Sequence, residues 1–292
     1  MAHIDDERGA RLARVLFPDL AAAVDAAFAR HGGGAERDFD AWLDERAEEV
    51  GSGLRTAAFG ELADAPSRER LERAFAATRT VASWIGLHVP EPEAFAESGA
   101  DFGSLGAALA ADPTLVPVAA PYGLGADGWR GLFSRAASEE GGPLAIPSGD
   151  SGAAPLAISS EAEREFARLD AVPDPSVPVL SASPAGEADA GRRSVRWTLR
   201  LVPAGLAPAV LGMSFDHGPH VSLPEMLMLQ LARVVAGEPL VDARSFTWLA
   251  GTLADGRLAA RHVYDSVERV VRINCREVGN QGPHLGARPP VA

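Results

Sequence analysis

Lysine is absent: the 27 basic residues among 292 are all Arg. A Schiff base, a pyridoxal-phosphate anchor, a standard Walker A loop and the usual kinase phosphate contact each need an ammonium, so those chemistries are excluded and pyridoxal phosphate is not expected as a cofactor. Cysteine is reduced to Cys275, which rules out a disulfide within the chain and any Cys-x-x-Cys zinc or redox pair. No apolar run reaches the roughly 18 residues that cross a bilayer. The opening Met1-Ala2-His3-Ile4-Asp5-Asp6-Glu7 is acidic and polar where a secretory signal needs a basic patch and an apolar stretch, so a cytoplasmic location is expected. Lysine scarcity alongside abundant Ala, Gly, Pro and Arg fits a high-GC genome.

What remains is the composition of a folded protein, with 47% apolar and 23% charged residues. The length suits two compact domains better than one. The net charge of -13 is unevenly placed: residues 1–190 hold 32 acids against 15 Arg, and residues 191–292 hold 8 acids against 12 Arg. So acidic a front argues against nucleic-acid and anionic-membrane partners, which need a basic surface. The basic last third has room for a local anion site.

Periodicity sorts the chain into a helical front and a mixed back. From Asp5 to Ala29, Leu12, Val15, Leu16, Leu20, Val24 and Phe28 recur at helical spacing around a kink at Pro18. A second helix is expected after Gly34 and a third from Pro66 to Ile85, making an N-terminal helical bundle. Leu115–Ala119 reads as a strand weakened by Pro117, Trp129–Ala137 as a helix, Pro143–Ile146 as a short strand, and Ser160 with Glu163 as a capping box. Val195, Trp197, Leu199 and Leu201 alternate with Arg196, Thr198 and Arg200, the pattern of a strand with one wet face, and Ala209–Phe215 is its expected neighbour. Ser222 and Glu225 form a second capping box for a buried helix that ends at Gly237. Strands are expected at Ser245–Ala250, Arg257–Val263 and Val267–Ile273, the last two as a hairpin turning near Asp265. The expected fold class is α+β: a helical bundle, then a mixed or antiparallel sheet with a packed helix. The expected divisions are an acidic helical domain at 1–98, a connecting α/β region at 99–191 and an Arg-rich α+β domain at 192–292.

Four constellations bear on chemistry. Gly123-x-Gly125-x-x-Gly128 has the spacing of a dinucleotide fingerprint, with Asp150 at the distance of a ribose-binding acid. Pro117 and Pro121 interrupt the incoming strand, and a glycine turn capped by a buried Trp129 is the favoured reading. Gly149-Asp150-Ser151-Gly152 has the letters of a serine-nucleophile loop, but the upstream His3, His31 and His88 fall in or beside helices, which favours a plain flexible loop. Asp216, His217, His220 and His262 have the ligand chemistry for Zn²⁺ and would make a metal-assisted hydrolase. Cys275, with His262 or His284 as base, is a further nucleophile candidate against the simpler reading of a small core residue.

The most unusual feature is the placement of amides. Both Asn residues, the only Cys and one of two Gln lie within Asn274 to Gln281, next to Arg257, Arg261, Arg269, Arg272 and Arg276. Amides both donate and accept hydrogen bonds, so Asn274, Asn280 and Gln281 with these Arg form either a recognition surface for a small anionic ligand or protein partner, or a segment fixed by buried amide bonds.

Thr247-Trp248-Leu249-Ala250-Gly251, Asp255-Gly256-Arg257, Gly279-Asn280 and Leu285-Gly286 resemble the closing region of an uncharacterised domain family, a domain of unknown function, from high-GC bacteria. In that family a Trp-x-x-Gly segment and an Asp-Gly-Arg turn precede a Gly-Asn-x4-Leu-Gly ending, after a helix like Ser222–Gly237. The likeness is confined to the closing part of the chain and departs at Arg288-Pro289-Pro290, where the family has an aromatic-rich ending. It implies an α+β closing domain and supplies no catalytic residue. Together these features lead to an expected non-catalytic binding protein, with the metal-assisted hydrolase and a structural component of an assembly as alternatives.

Overall fold

A computed structural model of the chain describes residues 65–138, 141–145, 154–182, 195–210, 220–280 and 282–292. The chain divides into two compact units, Met1–Thr56 and Ala57–Ala292. The two helices expected before residue 56, and with them the bundle, lie outside the described residues.

The second unit opens on α1 (Ala65–Ser83), whose Leu71, Phe75, Thr78, Val81 and Ala82 recur every three or four residues and are buried. Gly86, at φ 66°, ends it, and Leu87 N donates back to Ala82 O at 3.0 Å, the bond that closes a left-handed helix terminus. Two shorter helices follow, α2 (Pro92–Glu97) and α3 (Phe102–Ala111), the latter capped by Asp101 accepting from Ser104 N at 3.0 Å.

Strand β1 (Leu115–Tyr122) runs through Pro117 and Pro121 and is longer than expected. It is the edge of a three-stranded antiparallel sheet in the order β1, β4 (Val195–Pro203), β3 (Leu180–Ala182), and an edge strand needs donors on one side only. After β1 comes α4 (Gly125–Ala137), which buries Trp129, Leu132, Phe133, Ala136 and Ala137 at helical spacing. Residues 141–145 form no strand. Ala145 N donates once, to Arg269 O at 2.7 Å.

A six-stranded mixed sheet holds β2 (Leu156–Ile158), β5 (Ala209–Val210), β6 (Phe246–Leu253), β7 (Leu258–Asp265), β8 (Val270–Glu277) and β9 (Leu285–Ala287) in the order β2, β8, β7, β6, β9, β5. The β2/β8 and β6/β9 pairs are parallel and the others antiparallel. The expected β7/β8 hairpin is present and turns after Asp265, whose Oδ1 accepts from Val267 N and Glu268 N. Two expectations need correction. Val210 is the last described residue of β5, and that strand pairs with β9, not with β4. The cap before the short helices α5 (Ser160–Arg164) and α6 (Phe166–Leu169) is Ser159 rather than Ser160.

Helix α7 (Leu223–Val235) lies between the sheets. Both halves of its capping box form, Gly237 stands past its end at φ 67°, and every residue from Leu223 to Leu231 is buried. One core cluster joins α7 to Val202 of the small sheet and to Leu249, Ala260, Tyr264, Val271 and Ile273 of the large one. A second cluster packs the far face of β4, Val195, Trp197, Leu199 and Leu201, against α1, α2 and α3. β4 is therefore covered on both faces. Thr198 and Arg200, expected on a wet face, are 0% and 4% exposed, and only Arg196 of the three is exposed.

These pairings bind together the segments before and after residue 191: β1 and β3 pair with β4, and β2 pairs with β8. The limits expected at 98 and 191 do not coincide with the division after Thr56, since α1, α2 and α3 pack on the same small sheet. Among the described residues no helix is long and apolar enough to cross a membrane.

Candidate functional site

Across the large sheet the register aligns two rows. Trp248 lies opposite Arg261, and Arg261 opposite Asn274; one step along, Thr247 lies opposite His262, and His262 opposite Ile273. Side chains alternate along a strand, so the two rows belong to opposite faces. Ile273 with Ala260 and Tyr264 places the second row on the face toward α7. The first row lies on the opposite, outer face, which is itself partly covered: Trp248, Ala259 and Leu285 are buried there in a small cluster with Phe246 against it.

That outer face gathers Arg261, Arg272, Asn274 and Arg276 of the expected recognition surface, paired respectively with Asn274, Val263, Arg261 and Ala259. Arg261 Nε donates to Asn274 Oδ1 at 2.6 Å, and its guanidinium carbon stands 3.9 Å from the centre of the Phe246 ring. Burial, followed by the positive charge of Arg276, pulls the Arg261 pKa below its ordinary value. Arg272 is neutralised: it contacts Glu268, and Asp265 Oδ2 lies 3.5 Å from its Nε. Arg276 is exposed and makes no hydrogen bond or ion pair among the described residues.

The remaining expected residues stand apart. Arg257 holds the β6–β7 turn by donating to Ala254 O at 3.2 Å, and Arg269, at φ 59°, donates to Gly142 O. Asn280 is exposed in the turn after β8, where its backbone N donates to Glu277 O, so it is not a buried structural amide. Gln281 lies outside the described residues.

The inner row carries a closed polar network. Gln230 of α7 donates from Nε2 to Val241 O at 2.9 Å and accepts from Val241 N at 3.2 Å, which fixes the amide's orientation. Its second Nε2 proton points to His262 Nε2 at 3.1 Å. An NH₂ group only donates, so His262 Nε2 accepts and Nδ1 carries the proton, which goes to Asp242 Oδ2 at 2.9 Å. Arg288 bonds Asp242 Oδ1 at 2.5 Å, Thr247 Oγ1 at 3.1 Å and Pro203 O at 2.6 Å. Burial alone would raise the Asp242 pKa, but His262 and Arg288 outweigh it and hold the carboxyl below its ordinary value.

Both nitrogens of His262 are thus committed to protein partners. The ring is free neither to bind Zn²⁺ nor to serve Cys275 as a base. Of the other three expected metal ligands, Asp216 and His217 lie outside the described residues and His220 is buried. Among the described residues no group of three His, Cys, Asp or Glu is placed to hold a metal ion. Cys275 is half-buried beside Ser159 Oγ at 3.9 Å, and burial pushes its thiol pKa up, away from a nucleophile's.

A second polar cluster lies where α7 meets the small sheet. Glu225 accepts from Arg200 Nε and Nη2, both at 2.6 Å, and from Ser222 N and Oγ, both at 2.8 Å. Tyr122 OH meets Ser222 Oγ at 2.7 Å, and burial drives the Tyr122 pKa far above its usual value. The glycine turn does connect a strand to a helix, as expected. However, the Asp170 carboxylate accepts from Gly125 N at 2.7 Å and Trp129 Nε1 at 3.4 Å, so the helix N-terminus is already met by an anion of this chain. The sheet is antiparallel there, which a dinucleotide fold does not permit. Gly149 to Gly152 lie outside the described residues.

Sequence reasoning did not single out Arg200, Glu225, Gln230, Asp242 and Arg288 as members of polar networks. One signal was available: Gln230 is the other of only two Gln, inside an otherwise apolar helix, and the scarcity that marks residues 274–281 marks it equally. The inner network and the Glu225 cluster are satisfied within the chain and leave little for a ligand. On the outer face Arg276 is left without an acceptor among the described residues. No family model, no curated protein and no solved structure matches this chain.

Proposed function

We propose that the chain is a non-catalytic binding protein that takes a small oxyanion-bearing ligand on the outer face of the β7–β8 hairpin, through Arg261, Asn274 and Arg276. One observation carries the reading. Two guanidinium groups close enough to perturb one another, with the amide nitrogen of Asn274 beside them, share this face with no carboxylate paired to either among the described residues. Asn274 Oδ1 is taken by Arg261, which leaves its Nδ2 as a donor. A carboxylate or phosphate relieves the repulsion and accepts from the planar fork. Phe246 holds Arg261 upright, so less side-chain freedom is lost on binding.

The test is calorimetric titration of the full chain with inorganic phosphate and with citrate at fixed ionic strength. Saturable binding that Arg276→Ala and Arg261→Ala each weaken about tenfold, while Arg272→Ala does not, supports the reading. Equal affinity in the wild type and Arg276→Ala, or no saturation, ends it. Saturation by a polyglutamate peptide alone would transfer the face to an acidic protein partner.

A further inference from the structure

A cavity of about 550 Å³ lies between the loop before β5, the loop before β6 and the turn before β9. We infer that it is a second binding site, for an apolar monocarboxylate, independent of the β7–β8 face. Its walls are Leu206, Pro208, Val210, Pro239, Leu240 and Pro283, and its size falls in the range of small-molecule pockets. Leu206 and Val210 leave 63% and 64% of their surface to solvent, which is unusual for large aliphatic side chains flanking a concavity.

The polar residues of the lining are Arg244, Ser245 and His284. Arg244 and His284 are exposed, and neither side chain has a hydrogen bond or ion pair among the described residues. Ser245 is 6% exposed, and its hydroxyl is buried without a partner. A buried hydroxyl left unpaired costs free energy, which rotation of the Ser245 side chain toward a ligand's acceptor oxygen would recover. Among the described residues no Asp or Glu lines the cavity, and the nearby Glu238 is engaged by Arg233 at 3.1 Å. The cavity thus combines an apolar body, one unanswered guanidinium and an unsatisfied hydroxyl, which is the complement of a carboxylate on a hydrocarbon tail. Its wall is held in place, since Asp242 N donates to Leu206 O at 2.9 Å and Phe246 N to His284 O at 2.6 Å.

Octanoate is the probe, titrated into the full chain by calorimetry, with butyrate and octanol as comparisons. The expected result is one saturable site for octanoate, about tenfold weaker in Arg244→Ala, unchanged in Arg276→Ala, and weaker for both comparison compounds. Arg244 is exposed and unpaired, so its replacement leaves the fold intact. The inference is overturned by a lack of saturation, by octanol binding as well as octanoate, or by loss in Arg276→Ala with none in Arg244→Ala. The last outcome would place octanoate on the hairpin face and leave the oxyanion reading standing.

Discussion

Glu225 is 0% exposed and accepts four hydrogen bonds, two from Arg200 and two from Ser222. Replacing either member of the Arg200–Glu225 pair with Met leaves the other charge buried without its partner, a loss of about 3–5 kcal/mol. Removing Glu225 also leaves Ser222 N and Oγ without their acceptor, about 1–2 kcal/mol more for the cap. In the double variant no charge remains, the two thioether side chains refill the space, and only the cap loss persists, so the expected cost is about 1–2 kcal/mol. The double variant is therefore expected to be more stable than either single one. Urea unfolding at pH 7, followed by tryptophan fluorescence and far-ultraviolet circular dichroism, reads this as shifts in midpoint at constant slope. In a domain of this size each kcal/mol moves Tm by roughly 2–4 °C, so the single variants also separate clearly from wild type by calorimetry. Single-variant losses under about 1 kcal/mol, or a double-variant loss equal to their sum, would refute the reasoning and mean that the pair is not coupled.

The remaining expectations concern a carboxylate, a glycine and the thiol. Because the folded pKa of Asp242 is depressed, its contribution is fully present above the ordinary carboxylate value of about 3.9 and is lost as pH falls through the folded value. Asp242→Asn is expected to cost stability at pH 7 and to flatten the acid limb of the urea midpoint between pH 2 and 5; an unchanged limb would show that other carboxylates set it. A Cβ at Gly286 would collide with the Ala209 carbonyl, so Gly286→Ala is expected to separate β5 from β9, raising hydrogen exchange at Val210 and leaving β7 and β8 protected. Unchanged exchange at Val210 would show that the strands accommodate the added methyl group without parting. Cys275 is expected to react with a disulfide reagent at pH 7.5 many times more slowly than a free thiol, and at the free rate in urea. Rapid labelling of the native protein would contradict its raised pKa.

Legibility in the sequence followed the range of the cause. Helix α7 was readable because its signals are local: Ser222 and Glu225 three residues apart, Pro224 in the first turn, and Gly237 past the end. So were α1 and α4, from their apolar period, and the β7–β8 hairpin, whose Asp265 caps its own turn. The hairpin's register then follows from its turn, and with it the shared face of Arg261, Arg272, Asn274 and Arg276.

Tertiary structure decided which faces are covered. Period 2 in β4 separates Thr198 and Arg200 from Trp197 and Leu199, but the wet-face reading failed because α7, distant in sequence, lies over the polar side, where Glu225 answers Arg200. The same holds for Asp242 and Arg288, 46 residues apart, and for His262, whose role depends on which groups meet its two nitrogens. Composition and periodicity determined the α+β class, the missing ammonium chemistry and the element types, since those depend on residues and their near neighbours. Whether a given Arg, Asp or His faces solvent or a buried partner depends on contacts between distant segments, and only the packed chain decides those.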